Sequence, residues 1–178
     1  MFTKDISMLE DDVIQLRALE KSDVDALFLW ENNPEHWKVS HTISPYSRQA
    51  LSLYIESAGD IYSDKQLRLI ICRKEDQKAL GCLDLFDCDF KNKRAGIGIL
   101  IADKIDRGKG VASRCLSLTL NYCREVLGLH QVYCNILADN AESLQLFKKF
   151  GFEKIGLKKE WTHFRGAFYD EWLLQKIL

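Results

Sequence analysis

The sequence predicts an α+β fold in which an antiparallel run of strands is followed by a mixed half with one central parallel pair. Three observations carry this. Residues 67–101 hold three apolar or alternating runs separated by short polar turns, the pattern of an antiparallel meander. Residues 111–127 then change to helical spacing, with Val111, Cys115, Leu118, Tyr122 and Val126 along one face. That segment lies between apolar runs at 95–101 and 131–137, and a strand–helix–strand crossover makes its two strands parallel. With two prolines and no Gly/Ser-rich stretch there is no linker, so residues 1–178 read as a single domain.

Taken in order, Val13–Leu19 alternates and reads as the first strand. Ser22 followed by Asp25 predicts a capped helix running to about Glu31. Ser44-Pro45 predicts the start of a second helix ending near Gly59. Leu67–Arg73, Leu80–Phe90 and Ala95–Ile101 are the three meander strands, turned by KEDQK and by Asn92-Lys93. Gly98 and Gly96 fall inside the third, where close packing or a bulge explains them. After the long helix, Gly128 is a natural C-terminal stop. Gln131–Leu137 is a strand, Ala141–Phe150 a helix, and Phe152–Lys159 and Phe168–Lys176 complete a sheet of six to seven strands.

Composition narrows the function. A net charge of −1 removes the strongly basic face expected of a nucleic-acid binder. No run reaches the ~20 apolar residues of a membrane span, and MFTKDISMLEDD lacks a signal-like apolar stretch, so the expectation is a cytoplasmic protein. Glu10, Asp11 and Asp12 read as a solvated acidic tail. The six cysteines show neither C-x-x-C pairs nor ligand spacing with the four histidines, which predicts reduced core thiols and no metal site.

Asp106-Arg107-Gly108-Lys109-Gly110-Val111-Ala112-Ser113 links a buried strand to the long helix. Two glycines allow the backbone to approach a ligand closely. The helix that follows begins with unpaired N–H groups and the positive end of its dipole, which suits a phosphate. Arg107 and Lys109 add positive charge. The segment is not a P-loop, having no G-x-x-x-x-G-K-[ST], and it lacks the third glycine of a dinucleotide fingerprint. Without a ligand it is simply a glycine-rich turn.

A second segment gives it a context. Arg107-x-x-Gly110-x-Ala112 resembles the R/Q-x-x-G-x-G/A pyrophosphate motif of the GNAT acetyltransferases. About thirty residues on, Asn140, Ser143, Phe147, Gly151 and Phe152 match that family's N-x-x-[SA]-x-x-x-[YF]-x-K-x-G-F segment. The pattern is most similar to the branch of spermidine N-acetyltransferases and ribosomal-protein N-terminal acetyltransferases, through the Arg17 strand, the Arg94-Ala95 turn and the FRGAFYD hairpin at 164–170. The resemblance implies a GNAT-type, mostly antiparallel sheet flanked by helices. It also implies acetyl-CoA as co-substrate, with direct attack by an amine acceptor, either a polyamine or a protein N-terminal amine. Spermidine enzymes of this kind assemble into rings, which implies a homo-oligomer.

Carried over by position, Ile99, Leu100 and Ile101 would hold the pantetheine arm, residues 107–113 the pyrophosphate, and Asn140 the pantetheine or its water. Asn140 is equally suited to capping the helix behind it. Phe147 stands where many relatives have a tyrosine that protonates the leaving thiolate, and phenylalanine has no proton to give. Ser143, one helical turn earlier, is the first substitute and Tyr133 the second. Asp84 is the expected general base, on the expectation that Asp84, Asp87 and Asp89 share one face of strand 80–90. Glu31 and Glu160 are the expected acceptor contacts. Trp30, Trp37, Tyr46 and Trp161 read as core or as cation-favouring neighbours. The competing reading is a catalytically silent acyl-CoA-binding module, for which the missing tyrosine is the supporting feature.

Overall fold

The computed structural model describes residues 8–40 and 42–178; that part of the N-terminal reading which rests on residues 1–7 lies outside the described residues. Strands β1 (Ile14–Ala18), β2 (Leu67–Arg73), β3 (Ala79–Asp89), β4 (Arg94–Ile101), β5 (Gln131–Leu137), β6 (Glu153–Phe164) and β7 (Ala167–Ile177) form one sheet. Its order is β1-β2-β3-β4-β5-β7-β6. Neighbours are antiparallel throughout except β4 and β5, the expected parallel pair. Arg165 and Gly166, both at positive φ, turn the chain tightly from β6 into β7. The hairpin therefore returns β7 into the space beside β5.

Six helices pack around the sheet: α1 (Val24–Glu31), α2 (Trp37–Ser40), α3 (Arg48–Ser57), α4 (Ile61–Asp64), α5 (Val111–Glu125) and α6 (Ala141–Lys149). The larger core lies under α5 and α6, where Cys115 and Leu116 meet Leu83, Leu85, Ile97 and Val132. A smaller core forms on the opposite face, where Leu27 of α1 and Leu51 and Ile55 of α3 pack on Ile70 and Cys72. Because β2 is buried on both faces, it reads as a continuous apolar run rather than an alternation. All six cysteines are buried and unbridged. Burial pushes the Cys115 and Cys123 thiols up to about 12, consistent with inert packing groups.

Several local expectations are corrected. Ser22 does not cap the first helix; Glu20 and Asp23 exchange side-chain and backbone hydrogen bonds around a 3-10 turn, and Arg17 grips both Asp23 oxygens at 2.7 Å. The next long helix starts after Ser47, whose hydroxyl accepts from the Ala50 N–H, and not at Ser44-Pro45. The acidic stretch is no free tail. Asp11 and Asp12 both bind Arg114 of α5, Asp11 also accepts the Val13 and Ile14 N–H groups, and Glu10 pairs with Lys74.

Alternation alone would place Asp87 and Asp89 on the face opposite Asp84. A bulge between Phe86 and Asp89, with Asp87 at φ 48°, adds a residue to β3 and brings Asp89 opposite Arg94. Asp84, Phe86 and Asp89 thus face the same side as their β4 partners Gly98, Gly96 and Arg94. Gly96 is required there, since a Cβ would lie 2.2 Å from the Phe86 ring.

Gly81 is constrained more tightly: a Cβ would lie 1.8 Å from the Leu100 carbonyl oxygen, a backbone atom that cannot swing away. Gly81→Ala is expected to cost about 3 kcal/mol and lower Tm by roughly 5–10 °C in a thermal melt, whereas Gly59→Ala, with open space around it, leaves Tm within about 2 °C.

Candidate active site

The parallel pair holds together for only part of its length. Arg94, Ala95 and Gly96 register with Gln131, Val132 and Tyr133, and pairing stops there. Beyond that point β5 stays paired to β7 and β4 to β3, so the two strands separate into a notch. Gly98, Ile99 and Leu100 become half-buried, and backbone groups on the β5 side of β4 are left without a neighbouring strand. An extended chain carrying amide groups fits such an edge, as a short added strand would.

The exit of β4 leads, through a 3-10 turn at Lys104–Asp106, to the glycine turn. Gly108 and Gly110 take φ values of 72° and 81°, and no described atom lies within 4 Å of where their Cβ atoms would be. The first backbone bond of α5 runs from the Arg114 N–H to the Gly110 carbonyl at 3.0 Å. Among the described residues no acceptor is bonded to the N–H groups of Gly108, Lys109, Gly110, Val111, Ala112 or Ser113. This is a concave row of donors at a helix N-terminus, suited to a pyrophosphate.

Arg107 serves the turn differently from expectation. Its guanidinium donates to the Ile101 and Ala102 carbonyls at 3.1 and 3.2 Å, tying the turn to the end of β4. Lys109 is left as the exposed cation of the turn. Asp106 anchors it from beneath, buried between Arg73 and Lys78. Burial would raise the Asp106 pKa, but its bonds to Lys78 and Arg73 win and hold the carboxyl below its usual range.

The exit of β5 leads to α6. The Asn140 side chain accepts the Ser143 N–H at 3.1 Å, so its capping role is realised. Ser143 is half-buried, and its hydroxyl has no bonded partner among the described residues. Phe147 is 3% exposed and packs edge-to-face on Phe152 with centroids 4.9 Å apart, which makes it a core residue. Tyr133 sits at the closed end of the notch and donates its phenol proton to Asp87 at 3.1 Å. Burial first, then Asp87, pushes its pKa up to about 12.

On the face opposite α5, the structure joins two expected residues through one that sequence reasoning missed. Arg68 of β2 donates to both Asp84 oxygens at 2.7 and 2.9 Å and to Glu31 at 2.5 Å. Burial opposes the Arg68 charge, yet Asp84 raises its pKa, so the cation is permanent. Asp84 and Glu31 are therefore brought together, as a paired cluster with both Asp84 oxygens committed. Glu160 is not part of it. It occupies a bulge within β6 at φ 50°, exposed, with its N–H bonded to Asp170.

The segment after α1 closes over this face. Glu35 pairs with Lys104 beyond the end of β4, and Lys38 pairs with Asp139 beyond the end of β5 while covering the Tyr169 ring. His36 and Trp37 fold back onto the Trp30 and Glu31 carbonyls. Arg68 and His36 carried no motif; the sole hint was their placement within otherwise apolar or capped stretches.

Residues 14–153 match the family described as the acetyltransferase (GNAT) domain. The chain belongs to the GNAT acetyltransferases. It is 29% identical over 165 residues to the uncharacterised N-acetyltransferase YoaA of Bacillus subtilis, covering 92% of each chain. It is 24% identical over 147 residues to the spermidine N(1)-acetyltransferase of Escherichia coli K12, covering 80% of this chain and 74% of that one. Its fold superposes on the Vibrio cholerae spermidine N-acetyltransferase solved with CoA and spermine at a TM-score of 0.83 and 23% identity, covering 94% and 96%.

As a GNAT enzyme the protein uses acetyl-CoA, and the notch and turn fit it. Unpaired β4 backbone leads, through a 3-10 turn at Lys104–Asp106, to the free N–H groups of the glycine turn. Gly110→Ala is expected to lower acetyl-CoA affinity at least about tenfold by calorimetric titration, because an added methyl strains φ and crowds the donors. Tm should fall only by a few degrees.

Proposed function

We propose that this N-acetyltransferase acts on an α-amino group, most simply the N-terminus of a peptide or protein, rather than on a polyamine. The observation that carries this is charge balance. The carboxylates gathered on the acceptor face already hold cations of the protein: Glu31 and Asp84 share Arg68, Glu35 holds Lys104, Asp139 holds Lys38, and Glu171 holds Lys158. A polycation gains most from several unpaired carboxylates, whereas a single amine on an extended chain needs backbone partners and room.

Room is present. A cavity of about 960 Å³ opens beside Tyr133 at the closed end of the notch, lined by Tyr62, Asp87, Phe90, Arg94 and Leu173 among others. Its charges are mixed, with Lys65, Lys91 and Arg94 beside Asp87 and Asp89. The spermidine specificity of the E. coli and V. cholerae relatives belongs to proteins 24% and 23% identical to this one, and their shared fold does not carry it over.

In the proposed mechanism β4 residues 99–101 bind the pantetheine arm, the turn at 107–113 binds the phosphates, and a backbone N–H of the notch polarises the thioester carbonyl. Ser143 hands its hydroxyl proton to the departing sulfur and is reprotonated from solvent. Tyr133 is less suited, its proton being held by Asp87. Asp84, fully engaged by Arg68, fixes the floor of the site.

A thiol-release assay tests the acceptor: short peptides with free N-termini are expected to give kcat/KM at least about tenfold above spermidine. A reversed order removes the α-amine reading, and acetyl-CoA binding without turnover on either class favours the silent module. Ser143→Ala is expected to lower kcat about 10²-fold with acetyl-CoA affinity unchanged.

A further inference from the structure

We infer that His36 is the general base that takes the proton from the acceptor amine, an assignment that rests on the acetyl-transfer reading above. His36 is 4% exposed, although its neighbours Pro34 and Glu35 are exposed. That segment spans the mouth of the notch, tied to the β4 exit through Glu35–Lys104 and to the β5 exit through Lys38–Asp139. His36 lies between those two ties, next to the end of α1, whose Glu31 is joined through Arg68 to Asp84 on the sheet.

The ring's hydrogen bonding sets its chemistry. Nδ1 lies 3.0 Å from the Trp30 carbonyl oxygen, which can only accept, so Nδ1 carries the hydrogen. In the neutral ring Nε2 is then a bare lone pair. Nε2 is the one buried side-chain polar atom among the described residues with no hydrogen-bond partner. Buried polar atoms are rarely left unsatisfied, and we read this orphan as the place of a partner that arrives with the acceptor. The charged groups around the segment are Glu31, Glu35, Lys38, Arg68, Asp84, Lys104 and Asp139, and each is ion-paired within this set. The carboxylates of this set thus already hold cations of the protein.

The step balances as follows. Nε2 removes one proton from the acceptor ammonium, and the freed nitrogen lone pair forms the C–N bond at the thioester carbon. The C–S bond breaks with its electron pair on sulfur. The second amine proton leaves to solvent, Ser143 protonates the sulfur and is refilled from solvent, and the imidazolium returns its proton to solvent. One proton is released per turnover.

The test uses the full chain with a short free-N-terminus peptide or spermidine, whichever turns over. His36→Gln keeps an acceptor atom but cannot hold a proton, and is expected to lower kcat/KM about 10²-fold and to remove an ionisation limb from the pH profile, with acetyl-CoA affinity unchanged. His36→Ala, folded by the same binding criterion, should recover activity with added imidazole. An unaltered pH profile in His36→Gln, or no imidazole rescue of a folded His36→Ala, overturns the assignment while leaving acetyl transfer intact. Absence of thiol release by the parent protein with either acceptor overturns both. If both variants lose acetyl-CoA binding, His36 supports the fold and is not the base.

Discussion

Two strands that begin as neighbours cannot stay so when each is held along its length by a different partner. β3 claims one edge of β4 and β7 claims one edge of β5, and after Gly96 and Tyr133 these attachments carry the parallel strands apart. A gap inside a sheet normally leaves backbone groups without partners, which is costly unless water or a ligand supplies them. In the proposed mechanism that gap receives the pantetheine arm of acetyl-CoA. The phosphate turn starts at the exit of β4, the Asn140 cap and Ser143 start at the exit of β5, and the segment after α1 is tied to both exits. One topological fact places the groups from three separate stretches of chain.

Arg68 has a comparable role in the electrostatics. A guanidinium with 16% side-chain exposure, bonded to carboxylates from α1 and β3, joins the end of the first helix to the sheet floor. Buried pairs of this kind add little net stability but cost several kcal/mol when one member is removed. Their value here is geometric, since the end of α1 carries the carbonyls that orient His36 and Trp37. The same pairing withdraws two carboxylates from any substrate. Local acidity in the sequence is therefore a poor guide to what this face binds.

The fold class, the parallel pair, the crossover helix and the glycine turn were legible because each rests on local pattern: periodicity, positive-φ glycines and a helix start. The motif residues around Asn140 were legible for the same reason. Less visible were features set by contacts between distant segments. Nothing near Arg68 in sequence announces Glu31 and Asp84. The bulge at Asp87 changes which aspartates share a face, and alternation cannot reveal it. Arg107 matches a phosphate motif, yet its guanidinium is spent on the Ile101 and Ala102 carbonyls. His36 was passed over because a lone histidine beside a short helix has no spacing signature. Its meaning comes from one bonded nitrogen and one orphan.

Phe147 then becomes intelligible as part of a redistribution rather than a simple loss. Its ring is enclosed by the core and stacked on Phe152, so a phenol there would have to carry its hydroxyl either into an apolar cluster or out past the helix into the notch. Phenylalanine avoids the first at the expense of the second. With no donor at that position, α6 offers only its N-terminal turn, where Ser143 sits one turn nearer the exit of β5. In the proposed mechanism proton removal falls to the segment holding His36, which is tied to both strand exits, and proton delivery to the start of α6.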